Sequence, residues 1–218
     1  MILGVPLKKQ SLQKMVSQTL RQAILEREIK PGEQINIRQL AEKLDVSTMP
    51  VREALRELEA EGLVSFQSNK RISTKQLSQE EVRDIYDIRI PLEEIALLKC
   101  LEHEDKQGLK RLDELHKQMS RPQINGREWF NLNRAFHMKL HEMSGSGRLF
   151  QILQNLWNST GPYLRLFSDQ QGAVLRANAE HAQILEALRK NNPMQAKKTL
   201  RNHLRNGLKT MEALLAKE

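Results

Sequence analysis

Apolar residues recur along most of this chain at intervals of three and four, the period of a helix with one buried face. Leu12, Met15, Val16, Thr19, Leu20, Ala23 and Ile24 form the first such stripe, which stops near IKPG, where Pro31 and Gly32 break the pattern. Ile35 and Ile37 alternate with polar residues over a stretch long enough only for a small strand. A second helix is predicted from Ile37 to Leu44, with Leu40, Ala41 and Leu44 inward. The turn Asp45-Val46-Ser47 leads to a third, starting near Thr48, with Val51, Ala54, Leu55 and Leu58 inward and Gly62 closing it. Val64 and Phe66 in one short run, Ile72 and Thr74 in another, and Ser68-Asn69 between them predict a two-stranded hairpin. Ser78 then opens the sequence SQEE, a capping box. Beyond it helices are predicted near 79–101, 104–119, 128–144, 147–168, 172–190 and 194–216, with a kink or break at Pro91.

The fold class is therefore mainly α. Residues 1–76 have the order of a winged helix-turn-helix, and residues 77–218 that of an all-α bundle of about six helices. A winged helix-turn-helix needs a short polar turn, a third helix locked by one apolar face, and a polar first turn that can enter the major groove of DNA. Ser47 or Thr48 can cap that third helix. Its first-turn amides then face a phosphate or base edge. Arg52 stands one turn further on, and Arg38 lies early in the second helix. From Leu63 to Lys75 the hairpin carries Lys70, Arg71 and Lys75 and no acid, which suits a wing on phosphate or in the minor groove.

Composition adds less. The 218 residues carry a net charge of +8, split as +4 over residues 1–75 and +4 over the rest. Local placement rather than bulk charge must therefore argue for a polyanion. No apolar run approaches the ~20 residues of a membrane helix, and the N-terminus lacks the order of a signal peptide. A lone cysteine, Cys100, in an apolar stretch suits a reducing compartment. A cytoplasmic protein is expected.

All six histidines, at 103, 116, 137, 141, 181 and 203, fall in residues 77–218. Asn133 and His137 are four apart, about 400° around a helix axis, and so share a face. His181 and His203 lie on later helices, so three helices offer an amide or imidazoles to one bundle interior. Imidazole suits zinc or nickel. His137 with His141 is a rival metal pair at this point.

The stretch PGEQINIRQLAEKLDVSTMPVREALRELEAEGLV resembles the DNA-binding domain of the GntR family of bacterial regulators. The second half is similar to the all-helical (FCD-type) ligand-binding domain of the FadR-type subfamily, through RIPLE at 89–93, NRAFH at 133–137, EHAQILEAL at 180–188 and AKKTLRNHL at 196–204. The resemblance implies a homodimeric transcriptional regulator, a repressor, reading a pseudo-palindromic operator. The positions it carries over to DNA are Arg38, Ser47, Thr48, Arg52, Lys70 and Arg71. It implies a divalent metal held by Asn133, His137, His181 and His203, which leaves His141 outside the site. It also implies a small carboxylate effector. Arg89, through its planar fork of donors, is the candidate for a second carboxylate anchor, and Tyr163 and Arg165, by their helix and polarity, are candidate lining of the same cavity. Arg89 has a structural alternative in a nearby acid such as Glu93. Lys197, Lys198, Arg201, Arg205 and Lys209 are expected to form a solvated face.

Three departures from the family pattern are visible. Thr48 stands where an arginine is usual, the wing lacks its usual glycine near Arg71, and Asn133 stands where aspartate is usual. The last removes one negative charge from the expected metal shell. Rival classes are a metal-dependent hydrolase and a winged-helix protein-interaction module. Against the hydrolase, no glutamate follows His137 to serve as a general base.

Overall fold

The computed structural model describes residues 12–67, 71–103 and 105–216. The chain divides between Gln76 and Leu77 into two compact units.

The first unit contains α1 (Leu12–Leu25), α2 (Ile37–Lys43), α3 (Thr48–Ala60), β1 (Val64–Phe66) and β2 (Ile72–Thr74). Its core is Val16, Leu20 and Ile24 of α1 against Val51, Ala54, Leu55 and Leu58 of α3. The α1 stripe is narrower than its sequence suggests. Leu12 and Met15 are about half exposed, and Ser17 is buried in their stead, because the packed ridge steps by four through Val16, Leu20 and Ile24. Arg21 ties α1 to α3 through Glu57 and Glu61, with Nη2 2.5 Å from Glu61 Oε1.

The two helices of the turn end alike. Val46 and Leu63 donate their amides back to Ala41 and Leu58, and Asp45 and Gly62 donate to Glu42 and Glu59. Asp45 and Gly62 hold φ +51 and +75. Each end is thus a Schellman closure, which glycine adopts without strain and aspartate tolerates. That closure aims α3 away from α2. Leu40 and Leu44 are only half-buried, and Ala41 carries the inward contact of α2. The expected cap on α3 is absent: Ser47 occupies the N-cap position without a side-chain bond.

The wing pairs Val64 with Thr74 and Phe66 with Ile72. Gln34 bridges Ser73 on the other edge of β2, so the short Ile35 segment adds a third rung. The expected turn at Ser68-Asn69 lies outside the described residues.

The second unit holds α4 (Gln79–His103), α5 (Lys106–Met119), α6 (Gly126–Glu142), α7 (Gly147–Phe167), α8 (Gln171–Arg189) and α9 (Pro193–Leu215). Ser78 and Glu81 exchange the reciprocal bonds of a capping box, at 3.1 and 2.9 Å. Asp105, Asn125, Ser146 and Asn192 cap α5, α6, α7 and α9, while α8 starts without a side-chain cap. In packing, α4 lies against α9, α7 and α6, and α8 against α9 and α5. The expected break at Pro91 does not occur; α4 is one helix through it. Asp87, Ile88 and Pro91 are exposed, so the carbonyl that loses its proline-side donor faces water. Cys100 is buried, and burial pushes its thiol up to about 11.

Candidate nucleic-acid interface and candidate metal centre

Arg38, Thr48, Arg52 and Arg71 line one groove, together with Gln34 to Ile37 and Ile72. Asn36 caps α2 by accepting from the amides of Arg38 and Gln39, which sets Arg38 at the helix start. Arg38, Arg52 and Arg71 are exposed, and no acid is among the described residues that line the groove. Ser47 is exposed beside Thr48 but does not line it, and Lys70 lies outside the described residues. Along α3, Arg56 stands over the Phe66 ring, 5.7 Å from its centroid, and Glu59 accepts from the Phe66 amide. These two contacts brace the wing against the third helix.

In the second unit α6 carries Asn133, His137 and His141 in steps of four, all buried on one face. His181 of α8 and His203 of α9 meet His137. His137 Nε2 lies 3.4 Å from His181 Nε2 and 3.2 Å from His203 Nε2. Two nitrogens held about 2.1 Å from a zinc-like ion and roughly 100° apart lie ~3.2 Å from each other, so the spacing fits ligands of one ion. Hydrogen bonding alone serves it poorly, since His137 Nε2 cannot both donate and accept in a single tautomer. Asn133 Oδ1 is buried with no hydrogen-bond partner, as an oxygen kept for a cation would be.

The electrostatics agree with ligand duty. Burial pushes the His137 imidazole down to about 4. Burial, then the neighbouring His203 and His137, pushes His181 well below its ordinary value. Both rings are neutral at pH 7, the form that binds a metal. Glu180 Oε2 stands 2.8 Å from His203 Nδ1, and Asn206 donates to its other oxygen at 2.7 Å. A carboxylate at Nδ1 holds the tautomer that leaves Nε2 free for a metal.

A cavity of ≈ 20 Å³ adjoins the cluster. Arg89, Asn133, His137, His203, Trp129 and Trp157 are among its walls. Arg89 is 1% exposed, and its Nε is 2.5 Å from Glu93 Oε1. Burial pulls the Glu93 carboxyl upward, but Arg89, with His141 and His137, outweighs it and holds the group well below the usual carboxylate range. Tyr163 and Arg165 do not line this cavity. Tyr163 Oη accepts the Leu77 amide at 2.7 Å, and Arg165 Nη1 donates to Asp169 at 2.6 Å. Leu164 and Phe167, which share a face three residues apart, stand in the wall instead.

A model of the FCD domain matches residues 84–206, more than half of the chain, and one of the bacterial regulatory proteins of the gntR family matches residues 12–73. The chain belongs to the gntR family, with an FCD domain in its second half. Relatives in the family agree along most of its length. It is 30% identical over 203 residues to the uncharacterized HTH-type transcriptional regulator YdhC of Bacillus subtilis (strain 168), covering 90% of this chain and 89% of that one. It is 29% identical over 184 residues to the HTH-type transcriptional regulator McbR of Escherichia coli (strain K12), covering 83% of each. The solved structure of E. coli McbR/YncC superposes with a TM-score of 0.85 at 24% identity, over 94% of this chain and 99% of that one, and supports the fold. This gntR-family protein is thus a DNA-binding transcriptional regulator, and these homologues are regulators rather than enzymes. Among the described residues no helix is long and apolar enough to cross a membrane.

Several partners in the buried site escape a reading of the sequence. Glu93 is visible there as an i+4 neighbour of Arg89, but its reach to His141 and His137 is not. Glu180 precedes His181 directly, yet its carboxylate backs His203, one helix away. His141, which the resemblance leaves outside the metal site, is fully buried with its Nε2 3.1 Å from Glu93 Oε2. Trp129 and Trp157 give no polar signal at all.

Proposed function

We propose that the regulator reads a pseudo-palindromic operator as a homodimer and that a small carboxylate, bound beside a divalent ion in the FCD domain, sets its operator affinity. In the head, Arg38, Arg52 and Arg71 supply the cationic face, with Ser47 and Thr48 at the uncapped start of α3; Lys70, which precedes Arg71 in the sequence, completes the proposed set. Three exposed arginines in one acid-free groove support this assignment. Their contacts to phosphate give salt-dependent affinity, and any contact to a guanine edge gives sequence preference.

In the FCD domain, Asn133, His137, His181 and His203 would hold the ion. The observation that carries this reading is the convergence of three buried Nε2 atoms beside the unpartnered Asn133 oxygen. Zinc or nickel suits three imidazoles. The bound ion supplies fixed positive charge, and with a neutral amide in place of a carboxylate that charge is undiminished. Arg89, in the same cavity wall, adds a planar fork suited to a carboxylate. The cavity has room for about one water-sized sphere. A carboxylate must therefore widen it, and the widened form is the second state whose population the effector raises.

Two measurements test this. Elemental analysis of protein purified without chelator should find a divalent metal. Operator fragments should be retained in a salt-sensitive manner that a carboxylate alters. Metal-free protein that still responds to a carboxylate would remove the ion from the reading, and retention insensitive to salt would remove the groove.

A further inference from the structure

Arg89 has two sides. Arg89 is part of the cavity wall, while Glu93, which accepts from its Nε, is not. Arg89 Nη1 is also 3.3 Å from Tyr86 Oη. Glu93 is 1% exposed, and its second oxygen is in an unusual position. Oε2 lies 3.1 Å from His141 Nε2 and 3.7 Å from His137 Nδ1, yet all three atoms lack a hydrogen-bond partner. His141 Nδ1 also lacks one, so the ring is fully buried with both nitrogens unmatched. Such a ring is costly where an apolar side chain would fill the same space. His141 is also one turn beyond the metal ligands and has its nearest acid in Glu93, not in the histidine cluster.

We propose that Glu93 is a resident carboxylate that competes with the effector for Arg89, and that His141 is the group that receives Glu93 when the effector displaces it. This rests on Arg89 as the effector's anchor. One guanidinium can serve an internal or an external carboxylate, but loss of Glu93's partner would leave a buried charge uncompensated. A hydrogen bond from His141 lowers that cost without supplying a countercharge. An N–H at Nε2 is already within reach and needs only a small rotation of the carboxylate to align. Glu93 thus moves between two partners, Arg89 in the contracted cavity and His141 in the widened one. The ion pair that would otherwise oppose ligand binding becomes a two-position element. The orphaned nitrogen is accounted for as the vacant second position.

Acetate is the probe, titrated at constant ionic strength into full-length protein with its metal, and followed by the fluorescence of Trp129 and Trp157 in the cavity wall. Glu93→Gln should bind acetate more tightly by about tenfold, because Arg89 is no longer held by a charged competitor. Glu93→Asp, which keeps the charge but shortens the reach, should shift in the same direction and stands in if the glutamine variant does not fold. His141→Leu should weaken acetate binding several-fold with metal content unchanged, and His141→Gln, which keeps a donor, should restore part of it. Equal or weaker binding by the Glu93 variants overturns the competition. Wild-type affinity in His141→Leu makes Glu93 a simple local charge and overturns the switch, and loss of metal in that variant makes His141 a ligand and does the same. If acetate moves neither the wild type nor Glu93→Gln, the Arg89 anchor itself fails, and the switch with it.

Discussion

Arg52 and Arg89 are both arginines on helices of one regulator, and they live under different physics. Arg52 stands exposed in an open groove of ≈ 770 Å³ with other arginines and no lining acid. Arg89 is buried beside a cavity of ≈ 20 Å³ and held by Glu93. A solvated charge is inexpensive to keep, acts at a distance and is screened by salt. A buried charge persists only with a partner, so any ligand that uses it must also deal with that partner. The head can therefore recognise DNA by presenting side chains as they stand. On the proposed reading, the Arg89 cavity of the FCD domain takes a carboxylate only by rearranging, as a sensor requires.

Five measurements bear on this contrast, from the largest effect to the smallest. Replacing both His137 and His203 with alanine should take the metal content from about one ion per chain to none, since one imidazole and an amide do not make a site. Stoichiometric metal retained in that variant would place the ion elsewhere. Arg89→Ala should lower the unfolding free energy by ~3–5 kcal/mol in a denaturant titration, because it removes the countercharge of the buried Glu93, which a hydrogen bond from His141 replaces only in part. A decrease no greater than that of a surface substitution would mean that Arg89 is not the buried partner described here. Arg38→Ala and Arg52→Ala should each weaken operator binding by about 1–3 kcal/mol if they touch base edges, while changing stability by less than ~0.5 kcal/mol. Unchanged retention by both would dismiss the groove. Arg71→Ala, at the wing, should instead reduce the slope of log affinity against log salt by ~0.9 for each phosphate that the arginine neutralises. Asn133→Asp should raise metal affinity by about tenfold, by restoring a charged oxygen to the shell. A fall, read by competition with a chelating dye, would show that the Asn133 oxygen is not a ligand.

Much of the local structure was legible from the chain. The capping box at Ser78, the hairpin pairs and the glycine after α3 each depend on residues a few positions apart, and each is present. Failures came where distant context decided. Ser47 has the right chemistry for a cap, yet its hydroxyl makes no such bond. Pro91 is expected to kink or break α4; the break does not occur, because the affected carbonyl faces solvent and the helix continues. In the buried site, the periodicity of α6 and the family resemblance brought together Asn133, His137, His181 and His203. The same reasoning placed Tyr163 and Arg165 by helix and polarity alone, and neither lines the cavity. One residue along a helix turns a side chain by about 100°, which is enough to exchange a wall position for a flank.

The order of amino acids determined on its own the family, the run of helices and the hairpin, and which arginines and histidines were available. These follow from short-range periodicity, capping and turn chemistry, and from motif spacing. Only the tertiary structure decided that Glu93 pairs with Arg89 while its second oxygen stands 3.1 Å from His141 Nε2, that Glu180 backs His203 rather than its neighbour His181, and that the cavity beside Arg89 and His203 is almost closed. Those outcomes depend on how helices far apart in the chain rotate against one another, and burial turns each such small rotation into a charge that is matched or one that is not.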